Sequence, residues 1–282
     1  MTAISQHNSL PYLAYQAFKY VIYSLLVVNL FLFLQENYAA AAHTFANGIP
    51  PGQIIEAYSD SIDTASWVLL LLLFELETYV ISDKYLTRRL TIGLFAVRSL
   101  AYLFILYSLY GYFSRYLSVL SVEPFTGDAC ALVGSDFTRI ITLNEYVPIT
   151  LEDCAALQGP DLVKLTGTQI IGTIDEYQVI NNLALVDVIN ASTWVLIVAI
   201  LEVDVFVQSR HTIDHPFIRI SNSIKLVLYS TLLACAIYWW IDGDFLDFWD
   251  AFLWLIAFVF IEMNIFEWQK EIAQNKKEVS AA

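Results

Sequence analysis

A tryptophan followed eight residues later by a glutamate, with only apolar residues between, occurs three times in this chain: Trp67 to Glu75, Trp194 to Glu202 and Trp254 to Glu262. A carboxylate placed that deep in an apolar helix costs about 2.5 to 3.5 kcal/mol on insertion scales unless it finds a partner. The fold must therefore supply one for each copy. A second polar residue stands two positions after each glutamate, as Glu77, Asp204 and Asn264. Three further apolar runs carry a single basic residue with a tyrosine four positions on: Lys19 with Tyr23, Arg98 with Tyr102, and Lys225 with Tyr229. Basic and acidic runs alternate along the chain, which predicts three tandem copies of a two-helix unit.

Composition supports a membrane setting. Hydrophobic residues make up 58% of the 282 residues, and mean hydropathy is +0.59. These residues gather in six blocks, at about 16–35, 63–82, 90–113, 188–208, 221–241 and 247–267, and no proline falls inside any of them. At about 1.5 Å of rise per residue, each block can cross roughly 30 Å of hydrocarbon as a helix. The unbroken runs argue against a β-barrel. The expected fold is an all-α polytopic membrane protein with six transmembrane helices.

Lys84, Arg88 and Arg89, then Arg210 and Arg219, then Lys270, Lys276 and Lys277 fall on one side of that arrangement. By the positive-inside rule that side is cytoplasmic, so both termini are expected inside a plasma (inner) membrane. Asp60, Glu123, Asp128, Glu152, Asp153, Asp242, Asp244 and Asp247 fall on the other side and concentrate the net charge of -14 there. They read as a solvated outer face. Trp67, at the outer boundary of its helix, is expected to keep its indole N–H wet.

The division expected from these blocks is a first hairpin over 1–82, a second over 83–120 and 187–210, a third over 211–269 and a cytoplasmic tail over 270–282. The segment 36–62 is external, with a turn at Asn47 and Gly48 and a short amphipathic piece at Ile54 to Tyr58. Residues 121–186 form an extracytoplasmic cap inserted in the second hairpin, with strands expected at Phe137 to Leu143 and Thr168 to Ile174. Cys130 and Cys154 lie in this cap, where disulfides persist, and are expected to be bonded. Cys235 lies mid-membrane.

Lys19, Arg98 and Lys225 fall about two turns from one end of their helices, and Glu75, Glu202 and Glu262 the same distance from that end of theirs, so bases and acids share a layer. Tyrosine at i+4 shares a face with its base and can hydrogen-bond a carboxylate. Residues two apart point about 200° apart, so Glu75 and Glu77 cannot both serve one base. One set of acids is expected to pair within its hairpin and the other with a neighbouring hairpin, a partner chain or the interface.

Two functions fit such a layer. Five acids against three bases leave negative charge that a bound proton or cation would neutralise, which suits a proton- or cation-linked transporter or channel. Alternatively, the pairs fix helix order in a non-catalytic subunit of a larger membrane complex. The lipid bilayer, a second copy or other membrane subunits are the partners these readings imply; no nucleic-acid signature is present. Catalysis is not expected. His7, His43, His211 and His215 all lie outside the blocks, His211 and His215 lack a third ligand, and no phosphate loop or nucleophile elbow occurs. No metal or cofactor is expected, and the Asp242, Gly243, Asp244 turn lacks the spacing and final glutamate of a calcium loop.

Overall fold

In the computed structural model, the described residues are 10–77, 87–157, 161–210, 215–242 and 244–260. The chain is mostly helical. α1 (Leu10–Thr44) is followed by a single 3-10 turn at Pro51–Gln53, α2 (Ile54–Ala57), α3 (Ser59–Glu75) and α4 (Arg88–Val119). A small sheet region follows, then α6 (Ile174–Arg210), α7 (His215–Asp242) and α8, helical over 245–260. α1, α4, α6 and α7 each carry a stretch long and apolar enough to cross a membrane. The segments Pro51–Ala57 and Ser59–Glu75 pass the same test together but meet at a 73° bend, giving four or five such elements among the described residues.

The helices run further than the apolar blocks at the ends nearest the sheet. Segment 36–62 is not a loop throughout, because α1 continues through Glu36, Asn37 and the strongly helix-forming Ala39 to Ala42 before stopping at Thr44. The turn behind it closes at Gly48, whose φ of 93° favours glycine. α2 occupies the short piece expected at Ile54 to Tyr58 and packs tightly on α4. A Cβ on Gly111 would stand 2.6 Å from the Ile55 carbonyl oxygen, so only glycine permits this approach.

The sheet region lies between α4 and α6. Its strands are β1 (Val122–Phe125), β2 (Thr138–Ile140), β3 (Tyr146–Pro148), β4 (Leu162–Leu165) and β5 (Ile170–Thr173), with α5 (Leu151–Ala156) between β3 and β4. The order is β1-β4-β5-β2-β3, with β2 and β5 parallel and the other pairs antiparallel. Cys130 and Cys154 form a disulfide with Cα atoms 4.8 Å apart, beside a small core of Ile149, Leu157, Leu162 and Ile171.

The cap expected to reach residue 186 gives way to helix at Ile174. Thr173 and Glu176 explain this start: the Thr173 hydroxyl accepts from the Glu176 N–H at 3.2 Å, and the Glu176 carboxylate accepts from the Thr173 N–H at 2.8 Å. This reciprocal capping begins α6 well before its apolar block. A second core joins the cap to the bundle through Ile140, Leu143, Tyr146, Ile170, Ile180, Leu183 and Trp239.

The main core lies at the middle of the bundle, built from α1, α3, α4, α6, α7 and α8. Trp67, Trp194 and Trp254 meet there. Trp67 lies 6.2 Å from Trp194 and 6.3 Å from Trp254 between ring centroids, and Phe258 packs at a tilt 4.5 Å from Trp194. Trp67 is therefore a buried core residue, not a boundary anchor with a wet indole. Three rings converging on one point bury more apolar area than three rings dispersed at a boundary, and edge-to-face contacts add to that.

Candidate functional site

Two polar layers lie on opposite sides of the tryptophans. On the side away from the cap, the Lys19 ammonium, fully buried, donates to Glu75 Oε1 at 2.6 Å, and the Tyr20 hydroxyl donates to the same oxygen at 3.1 Å. The Tyr23 ring lies 6.0 Å from the ammonium. Arg98 pairs with Glu77 on the preceding helix. Lys225 lies 3.2 Å from Asp204, which also accepts from the Ser221 hydroxyl at 2.8 Å. The Tyr102 hydroxyl donates to Glu202 at 2.9 Å. Tyr229 packs against the main core.

The pairing follows sequence position. Glu75 meets the basic residue of α1 and Glu202 the tyrosine of α4, whereas Glu77 and Asp204 meet the basic residues of α4 and α7, the helices that follow. Each of Lys19, Arg98 and Lys225 thus has an acid. Glu262 and Asn264 lie outside the described residues, as do His7 and His211. His43 meets Tyr146 edge-on, with ring centroids 6.2 Å apart.

On the cap side of the tryptophans lies a cavity of about 40 Å³. Its walls include Asp60, Asp63 and Trp67 from α3, Asp187, Asn190 and Trp194 from α6, and Asp247, Asp250 and Trp254 from α8. These residues share one spacing, Asp-x2-Asp/Asn-x3-Trp, directly before each Trp-x7-Glu. Phe33, Tyr112 and Trp239 complete the wall from α1, α4 and α7. They too are equivalent in sequence, each fourteen residues after Lys19, Arg98 or Lys225.

Sequence reasoning missed this layer because Asp60 and Asp247 sit at the ends of apolar blocks, where an acid looks like a solvated flank. The structure corrects that expectation. Asp60 is 5% exposed, Asp187 is buried, and Asp63, Asp247 and Asp250 are mostly covered. Extending the tryptophan pattern seven residues towards the N-terminus would have found them.

Hydrogen bonds and one arginine hold the acids in place. Asn29 Nδ2 donates to Asp250 Oδ1 at 2.8 Å, and Asn37 Nδ2 to Asp60 Oδ2 at 2.7 Å. Arg115, at the cap end of α4, donates to Asp60 Oδ1 at 2.6 Å, Ser59 Oγ at 2.8 Å and Asn144 Oδ1 at 2.8 Å, and lies 3.9 Å from Asp187. Asn37 and Arg115 also line a cleft of about 1120 Å³ between the end of α1, the turn behind it and the sheet. The Arg115–Asp60 pair therefore stands between an open cleft and the cavity. Asp244 belongs to neither: it opens α8 by accepting from the Asp247 N–H at 3.4 Å, a helix-capping role.

The arrangement offers carboxylates, amides and indoles around a small polar space in a largely apolar bundle. Among the described residues, no three His, Cys, Asp or Glu side chains converge closely enough to hold a metal ion. No protein-family model, curated protein or solved structure matches this chain.

Proposed function

We propose that this chain is an integral membrane protein of six spans, built as three two-helix units, that passes a proton or small cation through its centre. The single observation carrying this reading is the polar cavity lined by Asp60, Asp63, Asp187, Asp247 and Asp250 in the middle of an apolar bundle. Buried acids inside a membrane bundle are costly, and they persist where an ion or proton uses them. The cap-side cleft, the Arg115–Asp60 pair, the cavity and the tryptophan cluster lie in that order, which suits an occluded binding point between two closures. The layer of Lys19, Arg98 and Lys225 with Glu75, Glu77 and Asp204 then holds the helices in register, its charges matched pair by pair.

The test is reconstitution of the purified protein into liposomes under an imposed membrane potential. Charge movement above that of empty vesicles is expected. Vesicles that stay silent would refute the proposal.

One observation favours a second reading, an accessory subunit. Glu202 is exposed on the side of a span, with Tyr102 its hydrogen-bond partner. A carboxylate facing lipid at that depth calls for a covering subunit. Purification in mild detergent with other membrane proteins in fixed ratio would support it.

A further inference from the structure

The transport reading leaves the ion unnamed, and the cavity's own dimensions and donors narrow the choice. Trp239 is 3% exposed and lines the cavity, where its indole N–H faces the Asp187 carboxylate without a well-formed hydrogen bond. Across the same space the Asn190 side-chain oxygen is buried and unpartnered. A loosely held donor and an orphan acceptor on the walls of one polar cavity are the usual marks of internal water. At 40 Å³ the space holds roughly three molecules, given ~10 to 15 Å³ for each.

Resting on that reading, we infer that the cavity is a hydrated proton-binding station, and that the transported species is the proton and not an alkali or divalent cation. Calcium asks for six to eight oxygen ligands, and among the described residues no three acids converge closely enough to hold a metal ion. A hydrated cation would also have to pass the Arg115 guanidinium, which is fixed on Asp60 at the mouth. A proton needs neither a coordination shell nor room. It leaves the carboxyl oxygen of Asp63 for a cavity water, and that water releases another of its protons to Asp250 or Asp187. One O–H bond breaks as another forms at each step, and no electrons change hands. The Trp239 N–H and the Asn190 oxygen orient the water that bridges these carboxylates.

The experiment uses the full chain in liposomes under an imposed potential, with an internal pH dye, in buffers whose sodium, potassium or calcium is replaced in turn. The expected result is a pH change that follows the potential whichever salt is present. It should fall at least tenfold in Asp63→Asn and several-fold in Trp239→Phe, both checked as monodisperse in detergent. Charge movement that requires sodium, potassium or calcium would overturn the proton assignment and leave the transport reading standing. A wild-type protein that moves no charge at all would overturn both. Unchanged flux in monodisperse Asp63→Asn and Trp239→Phe would remove the cavity from the path.

Discussion

Lys19 has no water to fall back on. Its side chain is fully buried, so its charge is tolerable only while the Glu75 carboxylate stays 2.6 Å away. Removing one member of such a pair strands the other, at a cost of about 3 to 5 kcal/mol, whereas replacing both with apolar residues of similar volume is often neutral. Lys19→Met alone should therefore sharply reduce the amount of folded protein recovered from the membrane and its resistance to unfolding in detergent. The double change Lys19→Met with Glu75→Leu should restore most of both. A double variant no better than the single one would show that the pair is not what the site depends on. At this scale the bases and acids of the lower layer were legible, because a charge within an apolar run admits few explanations. Asp63, Asp187 and Asp250 were not, since each sits where an apolar block begins and a single acid there carries no information about which way it faces.

The sheet region shows the same contrast among elements. Its disulfide followed from the placement of two cysteines, and β2 lies within the stretch where alternation predicted a strand. The start of α6 lies well ahead of its apolar block and so is invisible to hydropathy, although Thr173 and Glu176 carry a capping signal of their own. α5 is held by the same device. Thr150 and Asp153 cap its first turn, and Arg139 ties Asp153 to Glu176 at the start of α6, at 2.6 and 2.7 Å. Hydrogen bonds from the Thr150 hydroxyl and backbone N–H, then from Arg139, hold the Asp153 carboxyl below its ordinary value of 3.8. A carboxyl whose folded pKa is depressed contributes stability that is present above its unfolded value and lost as pH falls through the folded one. Amide exchange in β2, β3 and α5 should thus be faster in Asp153→Asn than in wild type near neutral pH, and the two should converge once the pH falls below the depressed folded pKa of Asp153. Equal exchange at neutral pH would mean that Arg139 and Thr150 gain nothing from the charge.

Across the whole molecule, the tryptophans divide two kinds of polar chemistry. Below them each basic residue of the layer is matched to an acid; above them Arg115 pairs with Asp60 and lies near Asp187, two of the five aspartates on the cavity wall. A matched layer gives helices their register, and an unmatched one gives a protein something to titrate. The convergence of α1, α3, α4, α6, α7 and α8 on one cavity depends on helix rotation, which a single sequence does not specify. The central claim is that the ion passes by way of the cavity while the lower layer serves structure. Potential-driven proton flux, normalised to folded protein in the vesicles, tests it directly when Asp63→Asn and Asp250→Asn are compared with the double variant Lys19→Met, Glu75→Leu. The account predicts flux lost in the two cavity variants and retained in the double variant. Flux retained in both aspartate variants and lost in the apolar pair would contradict it.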